Sequence, residues 1–348
     1  MDCGCDSAFS VKARNMSALA AICVVVIHAG NGGMGSFAAK VMHQFLGWGL
    51  CTFAVPWFFF ASGYFFAGHL DEKGWWLRAM RSRLRSLVLP YVIWCSLFIC
   101  FSAGLSALMN LDAGRPLSTG LSIRHLLVCG YGLDVSEHPL LVPFWYVRCL
   151  MVMVVLSPAL VWALRRWRWY VPLAILPACI YCCGVQNRFA MPWFIFYSLF
   201  SLTGWMYFSI GVLARREGWA ERSCRVRTWA CWAVALPAIC IGRLALYRGL
   251  PEVAGCLWIA AIPPLTFGVW RLIPSRPLPA FLVTSAFPVY ALHYFFEHFF
   301  EVVALPLPHP AWWAYVARAA LAVGLSLAVA NVLHSLLPRE SHILFGGR

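Results

Sequence analysis

Three groups of residues in this chain could do chemistry. The first is His28, which closes the apolar run Ser17-Ala-Leu-Ala-Ala-Ile-Cys-Val-Val-Val-Ile27. A titratable imidazole in such surroundings persists where it has a partner, lines a polar cavity or takes part in a reaction. The plain alternative is a hydrogen-bonded packing residue. The second group is Tyr290, His293, Glu297 and Glu301, whose spacings of three and four residues share one helical face. Carboxylates there are costly against lipid, so this face should meet a cavity or an arginine; Arg148, Arg243 and Arg318 are candidate counter-charges. The third group is Arg81-Ser-Arg83-Leu-Arg85, just before Leu87-Val-Leu-Pro90-Tyr91. A guanidinium fork suits phosphate. Residues two apart on a helix diverge by about 200°, so Arg83 and Arg85 share a phosphate only if the segment curls or a third group helps. A solvated basic loop is the plain alternative. Together the groups suggest an enzyme embedded in a bilayer, with a histidine base and a site for an anionic donor.

The elements that must position these residues are membrane helices. Hydrophobic residues make up 62% of the chain and charged ones 11%, against about 25% charged in a soluble domain. The net charge of +14 sits in short loops between apolar runs, a pattern of membrane topology that excludes nucleic acid as the partner. Eighteen Trp and twelve Tyr fit interfacial belts. Of the fifteen Cys, most fall inside apolar runs and behave as small hydrophobes. Cys3-Gly-Cys5 and Cys182-Cys183 lack zinc-site spacing, and His293-x-x-x-Glu297-His298 is one residue longer than a His-x-x-Glu-His zinc motif, so no metal is expected. Lys12 and Arg14 before a short apolar run resemble a signal peptide. His28 and the poor cleavage context Gly30-Asn-Gly-Gly-Met-Gly35 favour a retained first helix.

Ten segments reach the roughly 20 apolar residues of a spanning helix, at about 14–30, 44–67, 86–108, 143–164, 169–184, 192–213, 228–247, 253–273, 279–303 and 311–337. Loop charge alternates along this map. Lys73 to Arg85, Arg165 to Arg168, Arg215 to Arg227, and Arg271 with Arg276 are the rich loops; Lys40, Arg115, Arg124, Arg188 and Arg248 are scattered over the poor ones. Retention of Lys and Arg on the inner side predicts both termini in the cytoplasm. The expected fold is an all-α polytopic bundle of about ten helices, one integral membrane domain over residues 1–348, in the inner (plasma) membrane. The longest loop, about 109–142, faces outward and could cover a site. Gly63 beside Ser62 should let two helices approach closely.

In order along the chain stand Arg14 and His28, Pro56-x-Phe-Phe-Phe-x-Ser-Gly-Tyr64, Arg83-x-Arg85 before Pro90-Tyr91, Phe144-Trp145-Tyr146, Pro288-Val-Tyr-Ala-Leu-His293 and Gly346-Gly-Arg348. This order resembles the acyltransferase 3 family over essentially the whole chain. The resemblance implies about ten spans and transfer of an acyl group, commonly acetyl from acetyl-CoA, to extracytoplasmic sugars. It implies His28 as the family's first-helix histidine and Arg83 and Arg85 as its Arg-x-Arg pair. The family's first-helix arginine position falls on Ser17 here; Arg14 lies one turn earlier and stands as its substitute for donor binding.

The reaction these residues fit is attack of a hydroxyl on an acyl thioester. His28 is the expected base, a role typically worth 10²–10⁴-fold, with Glu297 or His293 orienting it or the acceptor. Arg83, Arg85 and Arg14 are expected to hold an acyl-CoA donor at the cytoplasmic mouth. The acceptor is expected to be a glycan or lipid-linked sugar. Buried His, Glu and Arg in ten helices would equally suit a proton-coupled transporter of a small polar or anionic solute, but inverted repeats are not evident. A binding or sensory protein without catalysis is a further alternative, motivated by Ser17.

Overall fold

In the computed structural model, the residues described are 3–30, 36–112, 130–132, 139–189, 201–219, 227–304 and 312–347. They form helices and connecting turns, with no strand among them. Helices occupy each of the ten expected segments. They are α1 (Cys3–His28), α2 (Phe37–Met42), α3 (Ala54–Ala67), α4 (Trp75–Arg83), α5 (Leu89–Asp112), α6 (Trp145–Trp167), α7 (Tyr170–Phe189), α8 (Leu202–Arg216), α9 (Thr228–Tyr247), α10 (Pro251–Leu272), α11 (Ala280–Thr284), α12 (Ala286–Phe299), α13 (Trp312–Leu336) and α14 (Pro338–Leu344). Among the described residues, seven stretches are long and apolar enough to cross a membrane. α7, α8 and α12 fall outside that set: the apolar described part of α7 is Tyr170–Ile180, α8 has 15 residues and α12 has 14. The start of the expected 192–213 helix and most of the 109–142 loop lie outside the described residues.

Local chemistry reshapes three of the expected helices. The 44–67 segment is divided into a π-helical turn (His43–Gly47), a 3-10 turn (Leu50–Phe53) and α3, because Gly47-Trp-Gly49 interrupts the helical run. The 279–303 segment divides into α11, α12 and a π-helical turn at Phe300–Ala304. Pro288, in the first turn of α12, has no N–H to bond the Thr284 carbonyl, and the break falls at Ser285. The 86–108 helix is the continuation of α4, joined to it by a π-helical turn at Leu84–Val88. Pro90 explains that turn: its missing N–H would have bonded the Ser86 carbonyl in an α-helix, and its ring crowds that carbonyl.

The charged loops collect at one end. Arg165 Nη2 donates to the Leu70 carbonyl (3.4 Å), Arg168 Nη2 pairs with Glu217 Oε1 (2.8 Å), and Trp169 Nε1 donates to the same carboxylate (2.9 Å). Buried Asn15 donates to the carbonyls of Pro274 and Arg276, each at 2.9 Å. Phe9, early in α1, stacks on Tyr64 of α3 at 4.1 Å and lies 5.1 Å from Trp270 of α10, so the first half of α1 meets the ends of α3 and α10, and the loops after α3, α6 and α8 meet one another at this end. The opposite end holds the last turn of α1, the start of α13 and the end of α9, where Arg243 donates to Gln44 Oε1 (3.3 Å) and to the Trp48 carbonyl. Between the ends the helices expose large apolar side chains, as Val234, Ile241 and Leu244 on α9 and Leu321, Leu325 and Val332 on α13 show. Apolar surface of that kind suits lipid.

α3 and α8 approach each other closely. A Cβ on Gly63 would overlap the Phe208 carbonyl, and one on Gly211 would overlap the Phe60 carbonyl. Two glycines thus let the backbones touch, the close approach expected at Gly63.

Candidate functional site

The site begins with how α1 ends. A helix leaves its last carbonyls without intrahelical partners. Here two distant side chains serve the final turn: Tyr315 Oη donates to the Val26 carbonyl (2.7 Å) and His43 Nε2 donates to the Ile27 carbonyl (2.9 Å). Because that nitrogen must donate to a carbonyl, the His43 tautomer is set. His28 follows immediately, half-buried, on a backbone held by these two bonds.

α12 packs against this turn. The His28 ring centroid lies 5.6 Å from that of His293 and 5.6 Å from that of Tyr294, the latter edge-on at 83°. His293 is fully buried, and its Nδ1 donates to the Val289 carbonyl at 3.0 Å. That bond places the ring proton on Nδ1 and leaves the Nε2 lone pair with no hydrogen-bond partner among the described residues. An acceptor nitrogen of this kind can receive a proton from a hydroxyl.

Three separated sequence motifs form the wall beside His293. Phe144 stacks on Tyr290 at 5.6 Å and 18°. Tyr290 Oη donates to the Pro143 carbonyl. Tyr146 Oη and Ser62 Oγ are 3.0 Å apart, and Tyr146 also donates to the Phe58 carbonyl at 3.2 Å. The Pro56–Tyr64 segment, Phe144-Trp145-Tyr146 and Pro288–His293 are therefore one contiguous aromatic assembly. Tyr290, its ring 6.3 Å from that of His293, joins this assembly to the histidine.

Glu297 lies one turn beyond His293 on the same face and is buried, yet neither carboxylate oxygen has a hydrogen-bond partner among the described residues. It is bonded to neither histidine. Arg318, also buried, is its nearby opposite charge, and Glu301 adds repulsion. Glu301 itself is exposed, so of the two expected inward carboxylates only Glu297 points inside. Of the three expected counter-cations, Arg318 acts on Glu297. Arg148 donates to the Gly132 carbonyl and Arg243 to Gln44 and Trp48.

The expected donor residues are at the arginine-rich end, and they are not clustered. Arg83 is half-buried and lines a cavity of about 360 Å³ with Phe66, His69, Trp75, Arg78 and Ser82. Arg85 and Arg14 are exposed and line no part of that cavity. Glu72 at the cavity edge is held below the usual carboxylate range by the hydrogen bond from His69 and by the Arg78 charge. Ser17, where the resemblance places an arginine, donates to the Ala13 carbonyl (2.9 Å) and accepts from Trp57 Nε1 (3.2 Å).

His43, Tyr315 and Asn15 have roles that the sequence does not signal. Each bonds a backbone carbonyl far away in the chain, and no helical periodicity marks such a partner. Among the described residues no group of three or more His, Cys, Asp or Glu is placed to hold a metal ion.

A family model described as an acyltransferase domain matches residues 15–331, and the chain belongs to that family, the acyltransferase 3 family. No curated protein and no solved structure matches the chain. Family membership and the long apolar helices together define a multi-pass membrane acyltransferase.

Proposed function

We propose that this protein moves an acyl group, acetyl in the simplest case, from acyl-CoA to a hydroxyl of an extracytoplasmic glycan or lipid-linked sugar, with His28 as the general base. The observation that carries the reading is the His28–His293 pair at the end of the bundle opposite the arginine-rich loops. Positive charge is retained inside, so the arginine-rich end is the cytoplasmic one in a ten-span arrangement in the plasma (inner) membrane. The donor then enters from the cytoplasm. Its phosphates meet Arg83 and the cavity it lines, and Arg85 and Arg14 add positive charge at the same end of the bundle. From Arg14 to His28 the rise along α1 is roughly 21 Å, a span that an extended pantetheine arm covers.

In the reaction, the acceptor oxygen attacks the thioester carbonyl carbon and its proton passes to the His28 imidazole. The tetrahedral intermediate collapses, the C–S bond breaks, and the thiolate leaves as the thiol by taking the proton from the imidazolium. The base is thereby restored. His293, fixed by its bond to Val289, orients His28 or accepts from the acceptor hydroxyl through Nε2. Glu297, buried one turn beyond His293 on the same face, orients His28 or the acceptor.

The test is transfer of labelled acetyl from acetyl-CoA by protein in nanodiscs, together with mass spectrometry of envelope glycans from cells with and without the chain. Loss of a glycan acetyl group and dependence on His28 are expected. Acetyl-CoA turnover that ignores His28, or unchanged glycans, would reject the reading.

A further inference from the structure

The Leu84–Val88 turn, which carries Arg85 and directly follows Arg83 at the end of α4, is met from outside by the segment Leu344–Gly347 at the end of α14. Ser86, the residue after Arg85, lies in the π-helical turn, and its carbonyl is the one that Pro90, lacking an N–H, cannot bond. Gly346 packs directly on that carbonyl: a Cβ there would overlap Ser86 O and lie 3.1 Å from its carbonyl carbon. Gly346 has φ +68° and Gly347 φ +75°. The Gly347 N–H bonds the His342 carbonyl (2.7 Å) and the Gly346 N–H bonds the Ile343 carbonyl (3.2 Å), the bond pair of a helix-ending motif that favours glycine.

That motif alone asks only for positive φ, which asparagine also adopts. The contact with Ser86 adds a second demand, the absence of any Cβ. The segment is anchored as well as placed. Phe345 is fully buried and stacks on Trp94 at 5.9 Å and 23°. Trp94 Nε1 donates to the Leu344 carbonyl at 2.9 Å. His334 on α13 donates from Nδ1 to Ser341 Oγ (3.1 Å) and its ring meets Phe345 at 5.2 Å. α5 and α13 thus clamp Leu344–Gly347 against the turn.

We infer that Leu344–Gly347 is a buttress that sets the Leu84–Val88 turn, making Gly346 and Trp94 positioning residues for Arg83 and Arg85. The inference rests on the reading of those arginines as donor ligands. A single π-type turn departs from the regular helix, and the Gly346 backbone packed on it limits where the Ser86 carbonyl can go.

The experiment compares Gly346→Asn with Gly347→Asn in the full chain in nanodiscs, measuring kcat and KM for acetyl-CoA and the melting temperature. Asparagine tolerates both φ values. At Gly347 its Cβ meets only the His342 ring, at 3.2 Å, and not the turn. Gly346→Asn is expected to raise the donor KM by about tenfold with kcat little changed, since an ångström of misplacement at a binding group is enough for such losses. Gly347→Asn should leave KM near wild type. Trp94→Phe, which keeps the ring and removes the bond to Leu344, should raise KM in the same direction and serves if Gly346→Asn does not fold. In an Arg83→Ala/Arg85→Ala background Gly346→Asn should add nothing to KM, because the contact would act through residues already removed. An unchanged donor KM in folded Gly346→Asn and Trp94→Phe, with Arg83→Ala/Arg85→Ala raising it, overturns the buttress and leaves the donor site standing. If Arg83→Ala/Arg85→Ala itself leaves donor KM unchanged, the donor reading falls and the buttress with it.

Discussion

The rings of His28 and His293 lie 5.6 Å apart, centroid to centroid, with their planes inclined at 41°. They come from helices 265 positions apart in sequence, and each is held by a backbone carbonyl contact: His293 by its own bond to Val289, His28 through the bonds of His43 and Tyr315 to the preceding turn. Two imidazoles placed this way can divide the work of accepting and orienting a proton. His28→Ala is expected to lose most acyl transfer, about 10²-fold or more, while still binding acetyl-CoA, because loss of a base acts on the transition state. His28→Gln should also fail, since an amide cannot carry the proton through the cycle. His293→Gln should retain a part of the rate. Turnover, donor affinity and melting temperature measured on the same preparations separate these outcomes. A well-folded His28→Gln protein with near-normal turnover would return His28 to a packing role.

The two arginines of the Arg83-x-Arg85 pair are not equivalent. Only Arg83 lines the cavity between α3 and α4. Arg83→Ala is therefore expected to weaken acetyl-CoA binding more than Arg85→Ala. Arg83→Lys should recover part of the loss, because the charge remains and the fork of donors does not. Titration of coenzyme A onto each variant ranks them. Equal losses would mean that both side chains reach the donor and that the cavity is not its site.

Gly63 and Gly211 occupy the same backbone crossing from opposite sides. Alanine at either must separate α3 from α8, an overpacking change that typically costs about 1–3 kcal/mol. Both single variants should melt lower than wild type. The double variant should lose less than the sum of the two, since the first alanine already opens the crossing for the second. Full additivity would show two independent contacts instead of one.

The glycine crossing also marks how far the sequence could be read. Gly63 was visible as a close-approach residue, but its partner Gly211 carries no motif of its own. In the same way His28, His293 and Glu297 each stand out as ionisable groups in apolar runs, and the helical face shared by His293 and Glu297 follows from their spacing. That His28 faces His293, and that Glu301 turns outward, depends on how α1 and α12 rotate against each other. Periodicity is weak in helices that are apolar on most faces, so it does not set that rotation. The breaks at Ser285 and in the Leu84–Val88 turn have a readable cause in Pro288 and Pro90, yet either proline could have been absorbed by a kink. His43, Tyr315 and Asn15 act on carbonyls across the bundle, and such bonds exist only once the helices have packed.

At the arginine-rich end, Glu217 ties the start of α7 to the end of α8 through Arg168 and Trp169. Burial pushes its carboxyl up, but the hydrogen bonds from Arg168 and Trp169 outweigh burial and hold it below the usual carboxylate range. A carboxylate depressed in the folded state stabilises above its unfolded pKa, about 4.3, and that contribution is lost as pH falls through the lower folded value. Glu217→Gln is thus expected to melt a few degrees lower than wild type near neutrality, with the difference shrinking in acid. Thermal melts across that range check the sign; a difference that grows in acid contradicts the pairing.

Glu297 and Arg318 are both buried, and the carboxylate has no hydrogen-bond partner among the described residues. Two roles make opposite predictions for the same substitutions. If Glu297 serves only as the counter-charge of Arg318, then Glu297→Gln strands a buried guanidinium, a change typically worth about 3–5 kcal/mol. Adding Arg318→Met should then restore both stability and turnover. If instead Glu297 faces the reacting groups beside His293, Glu297→Gln should fold with a modest loss and turn over slowly, and Arg318→Met should not rescue the rate. The position of Glu297 one turn from His293 favours the second outcome: stability partly recovered by the double substitution, kcat not. The two variants, measured for melting temperature and kcat in nanodiscs, distinguish the roles. Recovery of kcat together with stability would remove Glu297 from the reaction and leave the histidine pair to act alone.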